Sequence, residues 1–119
     1  MAVSPADLLP LPAHDFQILL ALAEGARHAY GLAQAVESPA AGGLRLELGS
    51  LYRILARLTA TGVIAEDVGP APADAREARR RYYRLTPLGR RVAQAETARL
   101  QAVVRLARRR RLAPGKTRP

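Results

Sequence analysis

A chain of 119 residues and 12.8 kDa has room for one compact domain carrying one long appended element, which disfavours a large enzyme. Apolar residues make up 49% of it and aromatics only 4%, with no tryptophan. A core therefore forms, but from Leu, Val, Ile and Ala, a composition that favours helices. The net charge of +9 is lopsided: residues 1–60 hold four basic and five acidic side chains, residues 61–119 fifteen and five. The cationic surface thus belongs to the C-terminal half and points to a polyanionic partner, with nucleic acid the leading candidate.

Several chemistries drop out. No cysteine means no disulfide, no thiolate zinc site and no thiol nucleophile. His14 and His28 lack the spacing and carboxylate company of a metal site, so neither metal nor cofactor is expected. No apolar run approaches the ~20 residues of a membrane span and the N-terminus lacks a secretory pattern, so the expectation is a cytosolic protein without membrane contact.

In chain order, residues 1–12 carry Pro5, Pro10 and Pro12 and read as a loose arm or short lead-in rather than a helix. From Ala13, apolar Phe16, Leu19, Leu20 and Ala23 recur at i, i+3, i+4, i+7, with Asp15 in the first turn and Gly25 as C-cap, predicting a first helix. A second runs from Ala29 to Glu37 with Tyr30, Ala33 and Val36 on one side, ending before Pro39; Gly31 inside it suggests a close approach by another element. Ser50 is placed as the N-cap of a third, whose Leu51, Ile54, Leu55 and Leu58 form the inner stripe up to Gly62. Its other face offers Tyr52, Arg53 and Arg57. Residues 63–68 and 79–85 read as two strands of a hairpin with a long basic tip, Tyr83 and Leu85 sharing one face, Arg80, Tyr82 and Arg84 the other. Thr86-Pro87 then signals a helix running to about Arg111, roughly 37 Å long, more than a domain of this size covers alone. Its stripe of Val92, Ala95, Leu100, Val103, Leu106 and Ala107 needs a second chain, so this is predicted to be a dimerisation helix. Residues 112–119 form a basic tail.

The predicted fold is therefore mainly α with a small β-hairpin: a winged helix-turn-helix over residues 13–86, then a dimerisation helix over 87–111. The third helix would enter the major groove, with Ser50, Tyr52, Arg53 and Arg57 facing base edges; Arg79, Arg80 and Arg81, with Arg76, would meet phosphates. An enzyme is not expected: Ser50 opening a helix reads as a cap rather than a nucleophile, and Gly42-Gly43 lacks the lysine and spacing of a phosphate loop. The alternative is a basic winged-helix module for RNA or a protein partner; the scarcity of aromatics for stacking weighs against single-stranded RNA.

Leu48-Gly49-Ser50-Leu51-Tyr52 with Leu55, Arg57-Leu58 and Gly62-Val63-Ile64 resembles the recognition helix of PadR-type transcriptional regulators. Arg81-Tyr82-Tyr83-Arg84-Leu85-Thr86-Pro87-Leu88-Gly89-Arg90 resembles their second wing strand and the start of their dimer helix. His28-Ala29-Tyr30-Gly31-Leu32 and Phe16-Gln17-Ile18-Leu19 resemble their second and first helices. The resemblance implies a homodimeric, mostly repressing, DNA-binding regulator of the short branch with one C-terminal helix. Arg53 stands where many members carry proline and Thr59 where an acid is common, both making the helix more cationic. The resemblance also implies a small-molecule effector for many relatives, but with no tryptophan here it assigns no effector residue.

Overall fold

A computed structural model of the protein describes residues 3–69 and 81–112. Among the described residues four α-helices and three short strands follow one another as α1 (Ala13–Leu22), β1 (Arg27–His28), α2 (Ala29–Glu37), α3 (Leu48–Thr61), β2 (Ile64–Asp67), β3 (Tyr82–Leu85) and α4 (Pro87–Arg109). The mainly helical class with a small sheet and a long C-terminal helix is as the sequence predicts. The hairpin tip, with Arg76, Arg79 and Arg80, and the basic tail from residue 113 lie outside the described residues.

The core forms where three helices converge on the sheet: Ile18, Leu19 and Leu22 of α1, Leu32 and Val36 of α2, Leu51, Leu55 and Leu58 of α3, with Val63, Ile64, Tyr83 and Val92 closing it. The buried face of α1 is Asp15, Ile18, Leu19 and Leu22, one residue out of step with the expected one; Leu20 is exposed and Phe16 half-buried. Likewise α2 buries Ala29, Leu32 and Val36 while Tyr30 faces solvent. Gly31 has no backbone pressed against it. Its N–H donates to His28 Nδ1 (3.1 Å), and a Cβ there would make only ordinary contact with the histidine ring. His28 thus caps α2.

β2 and β3 pair antiparallel with Ile64 opposite Leu85 and Asp67 opposite Tyr82. A third strand joins them: β1, two residues long, pairs with the other edge of β3, placing Arg27 opposite Tyr83. So short a strand leaves no alternation to read in the sequence. Gly62 ends α3 at φ +83, the left-handed conformation expected of a glycine cap. Thr86 caps α4 by accepting the Gly89 N–H (3.0 Å) and donates its own hydroxyl to the Gly62 carbonyl (2.6 Å), so one side chain ties the two helix ends together. Gly89 lies so close to the Val63 carbonyl that a Cβ could not be placed there.

From Pro5 onward the N-terminal segment is docked on the rest of the chain. A 3-10 turn at Pro5–Leu8 rests against α4, Leu8, Leu9 and Leu11 pack on the core, and the Leu11 N–H donates to Glu96 Oε2 (2.8 Å). Glu96 is buried on α4 and also accepts from Arg99 through Nε and Nη2. The Arg99 bonds, more than the Leu11 amide, hold its carboxyl below the ordinary glutamate range against the opposing effect of burial. A carboxyl depressed in the folded state stabilises it above the unfolded pKa, and that contribution is lost as pH falls through the folded value. Stability should therefore drop below about pH 4, and Glu96→Gln should flatten that part of the profile while lowering stability at neutral pH. Denaturant midpoints measured from pH 7 to 3 check this; identical slopes for both proteins would disprove it.

Candidate nucleic-acid interface

α3 turns its faces to different surroundings. At 100° per residue, Leu51, Leu55 and Leu58 occupy one side and lock the helix onto the core. Arg53 lies opposite, between exposed Gly49 and Ala56, and a Cβ on Gly49 would meet nothing within 4 Å. One guanidinium thus stands proud of a surface otherwise low enough for another macromolecule to approach closely.

The other sequence-predicted contacts sort themselves around Arg53. Ser50 is not the N-cap. The helix begins three residues earlier than a Ser50 cap would have it, at Leu48, with extended Glu47 in the cap position and making no side-chain cap bond. Ser50 sits inside the first turn, and its Oγ accepts from Arg53 Nη2 (3.1 Å), steadying that arginine. Tyr52 is half exposed on the edge facing the sheet, near enough to Tyr83 to help raise its phenol, which burial raises most. Arg81, at the foot of the wing, is exposed and reaches Glu66 on β2 (3.4 Å).

Arg57 is the largest departure from expectation. Its Nη1 and Nη2 donate to the two carboxylate oxygens of Asp15 (2.6 and 3.1 Å), an acid only 1% exposed. The pairing raises the guanidinium above its ordinary value, chiefly through the Asp15 hydrogen bonds. An arginine expected to face bases is therefore committed on two of its donors to α1. It fixes the outer face of α3 relative to α1.

The long helix divides at Leu100. Before it the helix belongs largely to this chain: Val92 is fully buried in the core and closed to a partner, while Ala95 is half-buried. Beyond it, every residue from Gln101 to Leu112 except Ala107 is exposed, including Val103 at 49% and Leu106 at 41%. Phe16 of α1 faces Leu100 and Val104 across an open groove of about 520 Å³. Sequence reasoning missed Asp15, noted only as a first-turn acid, and Glu96; each is an acid on a buried helix face, matched by an arginine.

Among the described residues no group of His, Asp and Glu is placed to hold a metal ion, and no helix is long and apolar enough to cross a membrane.

No curated protein matches the sequence. Among solved structures, the fold is similar to a PadR family transcription regulator from Clostridium difficile R20291 (TM-score 0.69, 19% identity, covering 82% of this chain and 97% of that one). It is also similar to a transcriptional regulator from Clostridium thermocellum (TM-score 0.68, 23% identity, 91% of this chain and 97% of that one). Bacillus subtilis PadR, in a structure with operator DNA, superimposes with a TM-score of 0.57 at 19% identity over 76% of this chain and 48% of its own. These likenesses concern the fold, and the proteins concerned are transcription regulators rather than enzymes. The profile of the transcriptional regulator PadR-like family matches residues 18–95, well over half of the sequence, and the chain belongs to that family.

Proposed function

We propose that the protein is a homodimeric repressor that joins through the outer half of α4 and sets two copies of α3 into successive major grooves, about 34 Å apart, of an inverted-repeat operator. Arg53 reads base edges, with Ser50 and Tyr52 as near-base contacts. Arg57 anchors α3 and has its remaining donors for an edge contact. Arg81, with Arg79 and Arg80 of the tip, meets phosphates. Occupancy blocks transcription. The observation that carries this reading is the placement of Arg53: outermost on a helix locked from behind, flanked by a glycine and an alanine, and held among the described residues only by Ser50.

The test compares the full chain with Arg53→Ala on a selected operator and on scrambled duplex of the same length. The ratio of specific to nonspecific affinity should fall by about 1–3 kcal/mol per half-site. Equal losses on both duplexes would remove Arg53 from base reading.

A further inference from the structure

The segment joining the second and third helices opens with a 3-10 turn at Pro39–Ala41 and ends beside the recognition surface, where residues 44–47 alternate in burial. Leu44 and Leu46 turn into the core; Arg45 and Glu47 turn out. It is braced from two directions. The Leu46 N–H donates to Glu37 Oε2 of α2 (3.3 Å), and His14 Nε2 lies 2.6 Å from the Arg45 carbonyl oxygen. A carbonyl only accepts, so Nε2 carries the proton and donates. This bond clasps the Arg45 backbone to the first turn of α1.

The Arg45 guanidinium itself makes no ion pair among the described residues. It borders an open groove of about 840 Å³ that His14, Glu47, Ser50, Arg53 and Arg57 also line. Asp15 offsets Arg57 there and Glu47 offsets one further charge, so the groove keeps a cationic excess. Its position matters as much as its charge. It runs along the edge of α3 that carries Ser50, Ile54 and Arg57, while Tyr52 marks the other edge, toward the sheet and the wing.

A helix about 10–12 Å across fills a major groove about 12 Å wide, so whatever borders the helix on either side comes up against a phosphate strand. The wing supplies cations on one side only. We propose that Arg45 binds a backbone phosphodiester on the rim opposite the wing, with His14 as the residue that positions it, so that each subunit grips both strands flanking its recognition helix. This rests on the DNA-reading function proposed above.

The experiment measures affinity of the full chain for fluorescein-labelled operator and scrambled duplexes across a salt series. Arg45→Ala should lower the slope of log affinity against log salt by about 0.9 per subunit, alike on both duplexes. Arg45→Lys should keep the slope, because a point charge suffices for a phosphate. His14→Ala should lose part of it, because the clasp is gone. Glu47→Gln, which removes an anion from the same rim, should bind both duplexes more tightly. An Arg45→Ala slope equal to wild type, in a protein whose Arg53→Ala variant still loses sequence preference, would overturn this inference and leave the function standing. A loss confined to the operator would make Arg45 a base reader and overturn it too. A wild-type chain with no preference among duplexes would bring down both.

Discussion

Val103→Glu combined with Leu106→Glu is expected to give monomers that have lost more than about 100-fold in operator affinity, because the second half-site is no longer held at high effective concentration. Both side chains are about half exposed on the part of α4 that reaches past its own core, so within one chain they have little to lose. Surface replacements of this kind stay within about 0.5 kcal/mol of neutral for folding. In the proposed dimer they would place four carboxylates in an apolar seam, where an unpaired charge is strongly disfavoured. Sedimentation velocity and operator titration check the two halves of the prediction separately. A doubly substituted protein that still sedimented as a dimer would move the interface elsewhere.

Replacing either of two arginines one turn apart on α3 should have opposite consequences. Arg57→Ala takes from the Asp15 carboxylate its guanidinium partner and should cost about 3 kcal/mol of folding stability. Arg53→Ala should cost almost nothing in stability, since its bond to Ser50 is exposed. Replacing Asp15 and Arg57 together by leucine should recover much of the loss, because a paired charge exchanged for apolar contact is close to neutral. Urea midpoints of the four proteins decide the matter. If Arg57→Ala were as stable as Arg53→Ala, the bond to Asp15 would not be holding α3 against α1.

The sequence was easiest to interpret where a single local rule governs. The span of α2 follows from the proline after Ser38, the end of α3 from a glycine that adopts positive φ, and the start of α4 from Thr86-Pro87. The faces of the helices were harder. On α1 the set Phe16, Leu19, Leu20, Ala23 and the set Asp15, Ile18, Leu19, Leu22 have the same period, and only the second is buried. An aspartate at its head hides it from any count of apolar residues, because what allows the acid inside is Arg57, 42 residues away. Glu96 on α4 repeats the case with Gly89 and Val92 as its buried neighbours, although its arginine is one turn along. Pairing between distant positions leaves no periodic trace, which is also why β1 and the docking of Leu11 were invisible. Ser50 misled for a related reason. Serine is a strong N-cap, yet the buried Leu46 and the bonds holding its segment set the helix start three residues earlier.

The proposed dimer holds two copies of α3 one turn of B-form DNA apart through a shared helical seam. Selection of bound duplexes from a random pool, using the full chain at moderate salt, tests it in one step. The expected result is enrichment of an inverted repeat whose half-site centres lie about 10 base pairs apart, or a multiple of that. Recovery of unenriched sequence, or of single half-sites without a partner at fixed spacing, would contradict it.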